Sequence, residues 1–223
     1  MKAPRASTSQ DTGWNALVAE WAAGLFMAPL SADAVTSYRD GLGATFLNIL
    51  GDELGCESGA QWMQGALITE ASAAAAARKL AATFTVLFDG VGGRRTVSLY
   101  ESAHVSESGR LFQSPVSDMH MLLRQADMAI GDTFREPADH LSIELALWAR
   151  LMRAGAGRRA QAALVYHHLI AWVPMFADRC YEADGTRFYA GAARVLTGFL
   201  VAQHEAFRAS TTFTPLPMAP GDD

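Results

Sequence analysis

The chain of 223 residues carries a formal charge of −5, is half hydrophobic and only 9% aromatic, and contains two cysteines. A chain of this length buries roughly 70–75% of its unfolded surface, so one core, or two closely packed halves, is feasible without staples, and the acidic balance argues against a nucleic-acid footprint while suiting a partner with a basic segment. Cys56 and Cys180 lie too far apart for a disulfide framework or a CxxC site and read as free thiols of a cytosolic protein.

In chain order, residues 1–12 are polar and expected to be disordered. A first helix over about 13–28 stops at Pro29, with Trp14, Leu17, Val18, Trp21 and Leu25 at helical spacing. Glu20 interrupts its apolar run, which fits an amphipathic helix better than a signal peptide, and no stretch reaches the ~18 apolar residues of a membrane span. Ser31 caps a second helix to Asp40, followed by Gly41; Gly43 to Leu54 makes a third, ended by Gly55. Ser58 opens one long helical segment to about Phe88, favoured by the alanine run Ala73 to Ala77. Val91 to Arg95 is a loop by its glycines and lacks the strand and Gly-Lys-Ser/Thr context of a phosphate cradle. Arg94-Arg95 and Arg158-Arg159 are solvated charges, since neither has the N-terminal place and the apolar run behind it that an export signal needs.

Val97 to Ser102 is the nearest thing to a strand. Ser114-Pro115 opens a helix to about Ile130, with Met119, Leu122, Leu123, Ala126 and Ile130 as its core face and Gly131 as its stop. Gly155 and Gly157 close the central helix that follows. The next helix carries Pro174, which should kink or end it. A last long helix covers about 185–208, and the Thr- and Pro-rich tail 209–223 is expected to be disordered. With no run of clean period-two alternation, the fold class is all-α: a single multi-helix domain over 13–208.

The central helix is the stretch from Glu136 to Met152. Pro137 reads as its first residue and Glu136 as its cap. Leu141, Leu145, Trp148 and Met152 form one stripe, and His140, Glu144, Leu147 and Leu151 a second beside it. His140 and Glu144 are i,i+4 neighbours that can pair, which favours the charged imidazole. Asp139 falls on the more polar side near the third helical position, where the helix dipole favours a carboxylate. A capped, half-buried helix with an internal His–Glu pair accounts for this pattern without any function.

Glu136-Pro137-x-Asp139-His140, followed at once by a Leu/Ile/Glu helix, resembles the EPxDH signature of the TorD/DmsD family. Leu87-Phe88-x-Gly90 and then Tyr100-Glu101-Ser102 resemble its LFxG…YES segment, His168-Leu169-x-x-Trp172-x-Pro174-x-Phe176 its HLxxWxPxF block, and Phe188-Tyr189 the head of its final helix. Trp21, Leu25-Phe26, Pro29 and Tyr38 resemble its opening helix pair. One departure is Ala103-His104, where many relatives carry a bulkier apolar pair. The resemblance implies a TorD-like helical bundle with a hinge at about 131–137, across which some members exchange halves, so a monomer and a swapped homodimer both stay open. It implies a cytoplasmic chaperone, not an enzyme, that binds the twin-arginine signal peptide and apo form of a molybdenum-cofactor oxidoreductase, aids cofactor insertion and prevents premature export. No cofactor of its own is expected; guanine nucleotide binding occurs in the family, but no contact residue for it can be placed here.

A receptor for a basic, apolar signal needs carboxylates beside an exposed apolar groove. Under the family reading Glu136 and Asp139 face the peptide, Pro137 and His140 shape the loop–helix junction, Glu101 adds charge, and Leu87, Phe88, Tyr100, Trp172 and Phe176 supply the groove. Two other readings compete. An all-α adaptor would use the same groove for another client. A metal-binding bundle would use His120, His140, Glu144, His167 and His168, but ferritin-like sites need paired Glu-x-x-His motifs, and this chain has His140-x-x-x-Glu144 once. No serine or cysteine sits in a recognisable activated turn.

Overall fold

A computed structural model of the chain describes residues 9–105, 114–131 and 136–211. Among them are eleven α-helices and no strand. Most of the hinge expected at 131–137, and most of both expected disordered ends, lie outside the described residues.

Helix α1 (Ser9–Met27) lies along α8 (Leu141–Arg153). Its buried residues are Ala16, Ala19, Ala22, Ala23 and Phe26 together with Val18 and Leu25 of the expected stripe, while Leu17 is exposed. Small side chains let the two helix axes approach closely, which larger ones would prevent. Trp14 and Trp21 instead meet Phe46 edge-on, fixing α1 against α3 (Leu42–Leu54), and Trp21 Nε1 donates to Tyr38 Oη of α2 (Ala32–Asp40) at 2.8 Å. Ser31 caps α2 and Gly55 ends α3 in the left-handed conformation, as read from the sequence.

The single segment expected from Ser58 to Phe88 is two helices, α4 (Glu57–Ile68) and α5 (Ala73–Phe88). Ser72 supplies its own cap to the alanine run, its Oγ accepting from Ala75 N at 3.2 Å, and Arg39 donates to the carbonyls of Leu67 and Glu70 where α4 ends. With both termini satisfied, the break at 69–72 leaves few backbone groups unpaired. Ser58 does not cap; its Oγ accepts from Arg194 Nε.

A short turn of helix, α6 (Ser102–Val105), follows the loop, and α7 (Ser114–Gln125) stops short of Ile130, with Asp127 in the left-handed region. After α8, α9 (Arg158–Leu164) runs into a π-turn at 165–169. Pro174 then lies in the first turn of a new helix, α10 (Val173–Ala183), where its missing N–H is harmless. It starts a helix rather than kinking one. The last helix, α11 (Phe188–Thr211), packs on α4 and α10. It crosses α4 at Gly59 and Gly191, where a Cβ on Gly191 would stand 2.5 Å from Gly59 O. Phe26, Phe84, Phe88, Phe176 and Tyr189 form an aromatic knot of mostly edge-to-face contacts joining α1, α5, α10 and α11.

Candidate functional site

Two extended stretches pass each other between α5 and α8. Glu101 N donates to Asp139 O at 3.0 Å and Leu141 N to Leu99 O at 2.8 Å, enclosing one antiparallel bridge between Tyr100 and His140. The strand-like pattern at 97–102 is thus extended backbone with a single pairing partner. The pairing brings the Tyr-Glu-Ser and Glu-Pro-x-Asp-His segments together.

Pro137 does not begin α8. His140 N donates to Pro137 O, closing a turn, and α8 starts at Leu141 with His140 as its cap. The expected start at Pro137 fails because Ala138 and Asp139 are drawn inward, where Asp139 Oδ2 accepts from Ser102 N at 3.0 Å. Asp139 is 0% exposed and does not face solvent as expected. It ties the crossing together from within.

His140 Nδ1 accepts from Ser142 N at 3.2 Å, a cap that requires that nitrogen to be unprotonated. Burial pushes its imidazole down to about 4, against the opposing pull of Glu136 and Asp139. His140 is therefore neutral at pH 7, and the charged form expected from an i,i+4 partner is overturned by desolvation. Glu144 turns to a different partner. Its Oε2 accepts from Trp172 Nε1 at 3.2 Å, while Oε1 is buried without a hydrogen-bond partner. Full burial, and after it the neighbouring Glu101 carboxylate, raise the Glu144 acid well above the carboxylate range. Glu101 also meets His168 Nδ1 at 2.9 Å. His104 stacks on Trp172 at 4.9 Å, with Nε2–H donating to Ser98 O and its basicity lowered by burial. At this departure from the family pattern, a flat ring replaces apolar bulk.

Above this buried network a cleft of about 520 Å³ opens, lined by Phe84, Phe88, Asp89, Tyr100, Glu136 and His140 among others. Tyr100 Oη donates to Glu136 Oε2, and burial plus that carboxylate raise the phenol's pKa, so it stays a donor. His140 lies edge-on to Tyr100 at 5.3 Å. Of the expected site residues, Phe88, Tyr100, Glu136 and His140 share this cleft, with Pro137 in the turn between the last two. Leu87, Trp172 and Phe176 are core side chains outside the lining of this cleft, Leu87 bordering a separate concavity with Val86 and Arg95; Glu101 is buried too. Met27, Phe84 and Asp89 line the cleft without having been singled out. Phe84 and Asp89 had a usable signal, flanking Phe88 at one helical turn and one residue. The five residues that the competing metal reading would use are not gathered: among the described residues no group of three His, Cys, Asp or Glu is placed to hold an ion. Nor is any described helix long and apolar enough to cross a membrane.

Comparison with known proteins adds a separate finding. The family model described as nitrate reductase delta subunit matches residues 54–178. A protein named Chaperone protein TorD from Photobacterium profundum is 30% identical over 190 residues, covering 80% of this chain and 87% of its own length. Its namesake from Vibrio cholerae serotype O1 is 28% identical, covering 81% and 86%, and that from Vibrio parahaemolyticus is 28% identical, covering 80% and 87%.

Proposed function

The chain belongs to the family of the nitrate reductase delta subunit and the TorD chaperones, and from that premise we propose that it binds the twin-arginine signal peptide and apo form of a molybdenum-cofactor oxidoreductase in the cytoplasm. It is a chaperone and not an enzyme, as its named relatives are. Binding would shield the signal from premature export while the client's cofactor is inserted. Neither task calls on a cofactor of the chaperone's own.

The observation that supports this reading is the cleft in which Glu136 and Asp89 stand beside Phe84, Phe88 and Met27. A twin-arginine signal offers guanidinium groups followed by an apolar run, and this lining offers carboxylates followed by an apolar wall. Tyr100 holds Glu136 in place through its hydroxyl. The neutral state of His140 matters here, because a cation at the cleft wall would repel the arginines. Asp139, Glu101 and Trp172 act from beneath, fixing the two segments that carry Tyr100 and Glu136.

Calorimetric titration with twin-arginine signal peptides from several molybdoenzymes tests the proposal. One peptide should bind at micromolar affinity or tighter, a scrambled version should not, and Glu136→Gln should weaken binding about tenfold, as losing a charge-assisted contact does. Asp139→Ala is a poor probe, since it removes a buried structural acceptor. Silence with every peptide, or Glu136→Gln binding as well as wild type, would refute the assignment; in the first case the chain would be an adaptor for another client.

A further inference from the structure

A second concavity, of about 620 Å³, lies between α4, α10 and α11 and shares no residue with the cleft. On α10 its lining residues Pro174, Ala177, Asp178 and Tyr181 follow i, i+3, i+4 and i+7, while Phe176, facing the aromatic knot, lies on the opposite side of the helix. The two sites therefore flank α10.

Trp62 and Tyr181, which line the pocket with Arg194 and one carboxylate, Asp178, stack with two guanidinium groups, Arg194 in the lining and Arg187 just outside it. Trp62 and Tyr181 meet at 5.5 Å between centroids; Arg187 lies over Tyr181 at 4.1 Å and Arg194 over Trp62 at 5.7 Å. Arg187 is held there by a left-handed backbone, φ 67°, a conformation that side-chain-bearing residues seldom adopt. The turn that imposes it is fixed by buried Asp184, whose carboxylate accepts from Thr186 N, Thr186 Oγ1 and Ala190 N. Arg187 then donates to Tyr181 O at 2.6 Å. A strained residue kept in place by a fully engaged buried carboxylate points to a role for its side chain beyond the fold.

We propose that this pocket is a second peptide-binding site, selective for an acidic segment bearing a large apolar side chain. The apolar side chain would enter between Trp62, Ala177 and Pro174, and its flanking carboxylates would pair with Arg194 and Arg187, whose planar forks suit carboxylates and whose stacking on the rings limits the freedom lost on binding. Its charge preference is the reverse of the acidic cleft's. That the partner is a protein rests on the chaperone reading; the pocket's preference for acid does not.

The test is fluorescence anisotropy with a labelled, capped twelve-residue peptide repeating Glu-Leu-Phe-Asp, against a counterpart repeating Lys-Leu-Phe-Arg and free indole-3-acetate as competitor. The acidic peptide should bind at least about tenfold tighter than the basic one at this site, Arg194→Glu should weaken it about tenfold or more, and Ala177→Phe, which plugs the pocket without touching either arginine, should abolish it. Glu136→Gln should leave it unchanged, which separates this site from the signal-peptide cleft. Loss of the basic peptide's binding in Ala177→Phe to the same extent as the acidic peptide's, full binding of the acidic peptide by Ala177→Phe whose circular dichroism is native, or indole-3-acetate competing at the peptide's own affinity would overturn the assignment.

Discussion

Acidification should destabilise this protein through His140, and the size of the effect follows from its burial. The unfolded imidazole titrates near 6.5 and the folded one near 4, so between those values the unfolded chain binds a proton that the folded chain refuses. The stabilising contribution of the neutral ring is therefore present above pH 6.5 and is lost as pH falls through the window to about 4. Linkage gives about 0.2 kcal/mol of destabilisation at pH 7 and about 2 kcal/mol at pH 5. Glu144 pulls the other way, since its raised pKa favours the fold as pH falls, and a wild-type profile alone would mix the two. His140→Asn separates them: asparagine can accept from Ser142 N as a cap but does not titrate. Urea unfolding followed by circular dichroism at pH 7 and pH 5 should show wild type losing about 2 kcal/mol more than the variant. Equal losses in the two proteins would refute the claim that His140 is buried and neutral.

Glu144→Gln should cost less than about 1 kcal/mol at pH 7, because burial disfavours the charged acid and an amide keeps an acceptor for Trp172, whereas Glu144→Ala should cost about 1–3 kcal/mol by stranding Trp172 Nε1–H; a urea series comparing them checks this. The same Glu144→Gln change should flatten the loss of stability as pH climbs above the ordinary carboxylate value of 4.5, where the wild-type acid stays protonated only in the fold. Gly191→Ala should destabilise by about 1–3 kcal/mol, since its Cβ would press on Gly59 O at the crossing of α4 and α11; the urea midpoint reports it. Cys56 and Cys180 are buried, and burial raises both thiol pKa values; both should react with a thiol reagent far more slowly in native protein than in denaturant, by a spectrophotometric time course.

The parts of the fold that local chemistry decides were legible in the sequence. Ser31, Gly41 and Gly55 set helix ends through hydrogen bonds to neighbours a few residues away, and the structure places those ends where the residues imply. What sequence reading missed depends on distant partners. The break at Ser72 rests on Arg39, far upstream, satisfying the carbonyls where α4 ends. Pro137 has the right neighbours for a first helical residue, but Asp139 is captured by Ser102 N, and that capture moves the cap to His140. The i,i+4 rule pairs His140 with Glu144, but Trp172 offers the buried carboxyl a donor and burial beside Glu101 disfavours its charge.

That last point explains why the motif residues fall into two layers. A carboxylate that is to meet arginines must keep its charge, so it has to sit at a solvated edge, as Glu136 does. A short acidic stretch could not hold such an edge against α5 by itself, since the crossing at 99–101 and 139–141 has only two backbone hydrogen bonds. Asp139, His140, Glu101 and Glu144 supply the remaining anchorage inside: Asp139 Oδ2 takes a backbone donor while its Oδ1 has none, burial holds the His140 ring neutral, and burial beside Glu101 disfavours the charged form of Glu144. One five-residue signature thus contains a surface carboxylate and a buried carboxylate with opposite requirements. Substituting the first should change binding without changing stability, and substituting the second should do the reverse.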